Sequence, residues 1–578
     1  MKEKKKISVV EWTVIAVLVI AALVAAVLCF GPTVRYQFAA MAVAARAGDR
    51  CGMPNSYRSD SAHMEKCAAS EASAKFSDVS EVRRSPGVRM VNAFGSLRPT
   101  PEGRLEPETP GYERYSEFKE NEFLETASNP LSTFSIDVDT ASYTMTRRFL
   151  MDMKRLPARD SVRLEEFVNY FDYGYADPTG AAPVAVHCEM ADCPWKKGHR
   201  LLRVGVQAKR IDSAKLPPGN LTFLIDVSGS MDRPNCLPLL VKSMKLMVDK
   251  MRDEDYVSIV TYASGVGVRL PATPGREKGR IHAVLDGLRA SGATSGGEGL
   301  RLAYEEAKKN FRKDGNNRVI LATDGDFNVG LRSDAELVRF IEGKRDDGIF
   351  LTVLGFGMGN YQDARMKKIA DAGNGHYAFI DGLLEAKKVL MTEFAGTLFT
   401  VAKDVKIQIE FNPAHVSSYR LLGYESRLLK AKDFNDDKKD AGEMGAGHSV
   451  TALYELVPPG GESGVPKTDA LKYQKSVPVD SAEVLTVKLR YKDPKGDKST
   501  LMEQPLTLAD LVKENPGIDF RFASAVAEVA LLLRNSALKA DASYDAAIER
   551  ARKSKGEDTN GYRAEFIRLA EAAQLYSR

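Results

Sequence analysis

The sequence predicts an α/β fold: a parallel sheet flanked by helices, inserted beside a β-sandwich, with a helical C-terminal segment and an N-terminal transmembrane helix. Three observations predict it. Between residues 218 and 400, short apolar runs alternate with amphipathic helical stretches, the order that builds a helix-covered parallel sheet. From 401 to 500, alternating apolar and polar residues are separated by charged, glycine-rich loops and read as antiparallel strands. Near the N-terminus, a charge-free apolar stretch is long enough to cross a bilayer.

Composition bounds the function. With 578 residues the chain exceeds a single core, so about two to four domains are expected. Charged residues make up 28% and the formal net charge is +4. No basic block lies outside the extreme N-terminus, so nucleic-acid binding is not expected. Cys29, Cys51, Cys67, Cys188, Cys193 and Cys236 lack zinc-site spacing, and there is no His-Glu-x-x-His, which argues against a zinc hydrolase.

Residues 1–31 read as a cytoplasmic tail and anchor. Lys2, Lys4, Lys5 and Lys6 precede the apolar stretch Trp12–Phe30. Lysines favour the cytoplasmic side, which places the N-terminus inside a single-pass inner membrane and the bulk of the chain outside, in the periplasm or at the cell surface. A cleaved signal peptide is one rival, with small-residue candidates around Ala40–Ala47 far from the apolar core. A lipoprotein at Cys29 is another, although Leu28 is bulky for such a site. Residues 32–128, rich in Ala, Ser, Arg, Glu and Pro without a sustained period, read as a disordered stalk. Within it, Cys51 and Cys67 are a candidate disulfide in an oxidising compartment.

Order is expected to begin near Pro130. Residues 129–217 form an N-terminal flanking α+β segment. Thr133–Asp139 reads as a strand, Thr140–Met153 as a helix capped by Thr140, and Ser161–Phe171 as a second helix. Val184–Met190 and Leu201–Ala208 read as strands, the latter with Leu202, Val204 and Val206 on one side. Cys188 and Cys193 flank a predicted turn and are a candidate disulfide. Asp137-Val-Asp139 is similar to the nucleophile pair of haloacid-dehalogenase-like phosphatases, but Ala141 stands where that family has Thr. A strand edge followed by a capped helix accounts for the motif better.

Within 218–400, strands are expected at Thr222–Asp226, Tyr256–Tyr262, Arg318–Thr323, Ile349–Gly355 and His376–Ile380. Between them lie a helix with Leu240, Met244, Met247, Val248 and Met251 on its apolar face, and helices at Glu298–Phe311, Ala335–Lys344, Gln362–Asp371 and Leu384–Phe394. Right-handed crossovers gather the loops after these strands at one rim. The first strand runs into Asp226-Val-Ser-Gly-Ser-Met. Asp226, Ser228 and Ser230 are hard oxygen donors suited to Mg²⁺, Mn²⁺ or Ca²⁺. Thr294, in a glycine-rich loop, and Asp324, ending the strand Arg318–Thr323, supply two more. Two carboxylates roughly balance a divalent charge. At most five protein groups serve a cation that takes about six oxygens, so a coordination position stays open toward the surface.

Asp-x-Ser-x-Ser, then Thr, then Asp resembles the metal-ion-dependent adhesion site of von Willebrand factor A domains, over roughly residues 220–396. The resemblance implies a Rossmann-like fold, a metal set of Asp226, Ser228, Ser230, Thr294 and Asp324, and ligand capture by a metal-bridged carboxylate. In related domains, movement of the last helix accompanies a change in metal coordination. The order of segments across residues 129–578 looks like that of the bacterial YfbK-type von Willebrand A proteins.

Hydrolysis would need a base or nucleophile beside the cation. No His, Cys or Lys is local to Asp226–Met231 or Thr294; Asp232 and Asp326 are the spare acids. Gly355-Phe-Gly-Met-Gly lacks dinucleotide spacing and reads as a loop.

Past the domain, Asp404–Phe411, Ser417–Tyr424, Val450–Val457 and Glu483–Tyr491 read as sandwich strands. Strands before Asn220 are expected to complete the same sheets, which makes the metal-site domain an insertion. Residues 501–578 turn helical: Phe522–Leu533, Ser543–Ser554 and Gly561–Tyr576. The expected function is a non-enzymatic, anchored, outward-facing protein that uses a divalent cation to bind an acidic residue of a protein partner. A metal-dependent hydrolase and a structural envelope protein stiffened by metal are the alternatives.

Overall fold

The computed structural model describes residues 118–578 except 213–215, 293–295, 314, 326–333, 358–362, 394–398, 440, 462–480, 495 and 513–514, together with the backbone of two earlier strands. The chain divides into two units, Met1–Pro110 and Gly111–Arg578. In the first, β1 (Leu97–Pro99) and β2 (Leu105–Pro107) pair antiparallel, within the stretch read as stalk. The predicted anchor, its rivals and the Cys51/Cys67 pair lie outside the described residues. Among the described residues no helix is long and apolar enough to cross a membrane.

The second unit opens with β3 (Leu124–Glu125), β4 (Leu131–Ser135), α1 (Ala141–Met151), α2 (Leu164–Val168), β5 (Val184–Asp192) and β6 (Arg200–Ala208). Order thus begins before Pro130, contrary to the stalk boundary. β3 adds to a sheet edge, and Asn121 Nδ2 donates to the carbonyls of Leu421 (3.1 Å) and Gly423 (2.7 Å). Thr140 precedes α1 but makes no capping bond. The first-turn amide of Ser142 instead donates to Glu166 Oε2 at 2.8 Å, so the cap comes from the next helix. α2 is far shorter than the expected Ser161–Phe171. Asn169 ends it by pairing its side-chain amide with both backbone groups of Thr451, at 2.7 and 2.9 Å. Cys188 and Cys193 are free thiols. Cys188 lies inside β5 and Cys193 just past its end, so the extended backbone between them, at roughly 3.3 Å per residue, carries the two beyond disulfide reach.

The inserted domain contains β7 (Gly219–Asp226), α3 (Leu237–Lys250), β8 (Tyr256–Tyr262), β9 (Val266–Pro274), α4 (Lys278–Gly287), α5 (Gly296–Lys309), β10 (Asn316–Thr323), α6 (Asp334–Asp346), β11 (Phe350–Gly355), α7 (Asp363–Ala372), β12 (Tyr377–Phe379) and α8 (Leu383–Lys387). α8 continues as a π-helical turn, Lys388–Glu393. The sheet order is β12-β11-β10-β7-β8-β9. All neighbours are parallel except β9, which is antiparallel and at the edge. β7 sits inside, and its apolar run is explained by burial on both faces: Phe223 and Ile225 enter one core, Leu224 the other.

Then follow β13 (Thr400–Phe411), β14 (Ser418–Leu422), β15 (Gly442–Gly445), β16 (Ser449–Val457), β17 (Glu483–Lys492), β18 (Ser499–Thr507), α9 (Leu508–Leu511), α10 (Ile518–Leu533), α11 (Tyr544–Lys553) and α12 (Tyr562–Tyr576). One sheet runs β15-β13-β17-β18 with β4 also on β13; the other runs β3-β14-β16-β6-β5. Ile407, Ile409, Val487 and Leu489 from the first meet Val204, Val206, Leu421 and Tyr454 from the second in one core. Both sheets mix strands from before and after the inserted domain, so the insertion is a fact of the topology. The C-terminal helices pack Phe522 and Phe566 against Phe171, Tyr143 and α2.

Glu165, on α2, is buried, and its Oε2 meets no partner. Burial, then the nearby Glu425 and Glu166, push its pKa up to about 7. An unfolded Glu titrates near 4.3, so the folded state holds the extra proton between these values. Stability therefore falls as pH rises from about 4.3 to about 7, by up to about 4 kcal/mol. Glu165→Gln is expected to flatten that loss, which urea midpoints near pH 5 and near pH 8 measure for both proteins.

Candidate metal centre

β7, β8 and β10 are adjacent parallel strands, and their carboxyl ends build the rim. Asp226 is the last residue of β7 and its carboxylate is wholly buried. Three donors hold it. The Ser228 amide reaches Oδ1 at 2.8 Å, while Tyr262 Oη and Thr323 Oγ1 reach Oδ2 at 3.0 and 3.3 Å. Tyr262 ends β8 and Thr323 ends β10, so the two flanking strands clamp the acid. Burial pushes the Asp226 carboxyl above its usual range, and the nearby Asp324 adds to the rise. The Ser228 hydroxyl also lies close enough to lower the carboxyl's pKa.

Past Asp226 the chain turns up to the surface. Ser228 is buried and Ser230 exposed, with their Oγ atoms 3.0 Å apart. The segment leading to Thr294 lies alongside, because Gly292 O accepts from the Gly229 amide (2.9 Å) and the Ser291 amide donates to Val227 O (2.7 Å). Gly292 has φ +84°, and an added Cβ would stand 2.2 Å from Ser264 Oγ, so only glycine fits there. Thr294 itself lies outside the described residues, as does Asp326.

Asp324 follows β10 and is nearly buried. Its Oδ2 accepts from Arg233 Nη2 at 3.0 Å, and Arg233 Nε donates to Ser230 O at 2.9 Å. A half-exposed guanidinium thus ties the first loop to the third. The structure brings Asp226, Ser228, Ser230 and Asp324 together. It adds Tyr262, Thr323 and Arg233, which the sequence reading missed. Thr323 and Tyr262 end strands read as plain sheet, and Arg233, three residues beyond Ser230, belongs to no motif. Asp232 is exposed.

The donor set fits a hard divalent cation. Two carboxylates and two hydroxyls gather at one rim, all of them hard oxygen donors, and a positive group, Arg233, already lies against Asp324. Elsewhere, the acids of the phosphatase-like motif serve docking. Asp139 is buried, takes Lys367 Nζ at 2.7 Å and the Tyr377 amide at 3.1 Å, and so fixes the flank to α7 and β12.

Comparison with known proteins agrees with this architecture. The profile described as von Willebrand factor type A domain matches residues 220–390, and one described as von Willebrand factor matches 109–203. The profile for the C-terminal part of uncharacterized protein YfbK matches 396–575. Uncharacterized protein YfbK of Escherichia coli is 45% identical over 472 residues, covering 80% of this chain and 81% of that protein. The chain belongs to the YfbK family of von Willebrand factor type A domain proteins. Uncharacterized protein sll0103 of Synechocystis is 30% identical over 189 residues, 32% of this chain and 43% of that one. A von Willebrand factor type A structure from Catenulispora acidiphila is 16% identical, covers 78% of this chain and 91% of its own, and has a TM-score of 0.35. In this YfbK-family chain the A domain is thus carried on a sandwich built from both of its flanks.

Proposed function

We propose that this chain is a membrane-anchored, extracytoplasmic binding protein whose A-domain rim captures an acidic residue of a protein partner through a divalent cation. One observation carries the reading. The paired hydroxyls of Ser228 and Ser230 sit at the mouth above the buried Asp226, beside Asp324. Asp226 and Asp324 would supply charge to Mg²⁺ (or Mn²⁺ or Ca²⁺), and Ser228, Ser230 and Thr294 the geometry. The chemistry that such a cation brings is an open coordination position for a carboxylate. Asp226 is oriented by hydroxyls and an amide, which favours binding over proton transfer; we read the site as non-catalytic. Trp12–Phe30 would hold the chain in the membrane with the rim outside.

The test is a Mg²⁺ and Mn²⁺ titration by calorimetry, paired with capture from envelope extract with and without EDTA. The wild type is expected to bind one ion and to lose its captured partner in EDTA. Asp226→Ala is expected to lose both while keeping its fold by circular dichroism. Capture that survives EDTA and Asp226→Ala would refute the adhesive reading.

A further inference from the structure

A cleft of 310 Å³ opens at the end of the inserted sheet remote from the metal rim, where that domain meets the sandwich. Its walls come from the amino end of β10, the turn between α7 and β12, the start of β13, β15 with Glu443, and the turn around Arg427. Arg318, on β10, forms part of it and is 3% exposed. Among the described residues its one hydrogen-bond partner is neutral, Thr352 Oγ1 at 2.8 Å. Its Nε is buried without a partner, and its guanidinium stands over the Phe350 ring at 5.5 Å.

The acids nearby are engaged elsewhere. Asp137 and Asp371 pair with Arg427 at 2.7 and 3.1 Å. Glu443 accepts from Asn374 Nδ2 at 2.9 Å and from Thr400 Oγ1 at 3.0 Å. Among the described residues no carboxylate makes an ion pair with Arg318; Glu443 acts on it only from a distance, and burying a guanidinium without a contacting anion costs several kcal/mol. Burial brings the Arg318 pKa down to about 10, and the attraction of Glu443 opposes this only in part.

The remaining charges narrow the ligand. Arg318, Arg427, Lys439, Asp137, Asp371 and Glu443 all line the cleft, three of each sign, so its formal charges cancel. A bare anion would gain Arg318 but meet three carboxylates. A molecule carrying both signs leaves the balance intact. The volume lies at the small end of ligand pockets.

We propose that this cleft binds a small zwitterion of the α-amino-acid class, its carboxylate on the Arg318 guanidinium and its ammonium toward the acidic wall. The site lies at the seam between the inserted domain and the sandwich, so the ligand would also brace that seam.

The experiment uses the purified full chain and thermal-shift and calorimetric titration with each of the twenty amino acids. Acetate, methylamine and inorganic phosphate are run as single-charge probes. At least one amino acid is expected to bind 1:1 and raise the melting temperature, with the single-charge probes binding at least about tenfold more weakly. Arg318→Met is expected to lose at least about tenfold in affinity. Its own melting temperature should not fall, because the substitution removes an uncompensated buried charge. Arg318→Lys, keeping charge but not the fork, should recover part of the binding. Failure of every amino acid to bind overturns the proposal. So does acetate or phosphate binding as tightly as the best amino acid, or binding that persists in a folded Arg318→Met.

Discussion

Replacing Arg147 by alanine is expected to destabilise the folded unit by about 3–5 kcal/mol, the cost of stranding buried charges. Arg147 lies on α1, and its guanidinium joins three parts of the chain. Nε and Nη2 grip both oxygens of Asp381 at 2.6 Å, just before α8 of the inserted domain. Nη2 also reaches Glu385 Oε2 at 2.8 Å, and Nη1 reaches Glu565 Oε1 on α12 at 2.7 Å. Tyr170 completes the cluster by donating to Glu385 at 2.6 Å. Alanine leaves three carboxylates facing one another out of water. The loss should fall on docking, so denaturation is expected to split into two transitions, with the inserted domain parting from the sandwich and helices. Arg147→Lys should restore little, since an ammonium cannot serve Asp381 bidentately while reaching Glu565. A variant that unfolds in one step at the wild-type midpoint would remove this cluster as the latch.

The second large effect is expected at Glu455, on the face of β16 turned away from the sandwich core and toward the C-terminal helices. Its carboxylate accepts from Arg420 Nη2 at 2.6 Å, pairs with His199 Nδ1 at 2.6 Å and takes Trp195 Nε1 at 3.2 Å. Both Glu455 and Arg420 are almost fully buried. His199 and Arg420 hold the Glu455 carboxyl below its usual range against the effect of burial. Arg420 also donates to Leu538 O, between α10 and α11, and lies over the Phe123 ring. Glu455→Ala is expected to cost about 3–5 kcal/mol, because a buried guanidinium loses its anion. Glu455→Gln, which keeps an acceptor, should cost less. Equilibrium urea unfolding of the two variants measures both, and equal costs would show that charge is not what matters there.

The grouping at the rim was legible because three of its residues stand together in sequence. Asp226, Ser228 and Ser230 occupy one loop, and Asp324 ends a run whose apolar character marks a central strand. Its supports were not legible. Tyr262 and Thr323 become neighbours of Asp226 only through sheet register, and Arg233 acquires a role only once its loop folds over Asp324. Central strands announced themselves by burial on both faces, whereas edges did not. β9 contains Pro271 and β18 contains Pro505, residues tolerated at an edge but poor markers of a strand. α4 buries only Ile281 and Leu285, too little for a helical period to show. Glu166 capping α1 and Asn169 ending α2 through Thr451 are long-range acts, invisible to any local window.

The nested arrangement of the sandwich also constrains the order in which the protein can be made. β6 pairs with β16 through Gln207 and Ser449, 449 − 207 = 242 positions apart. As the chain leaves the ribosome, β5 and β6 can form only a hairpin, while every strand of the inserted domain is complete before β13 emerges. That domain can mature as an appendage on an unfinished host, and the host closes only when its late strands return to a hairpin that has waited. For that interval, the apolar inner face of β5 and β6 is bare and in need of protection.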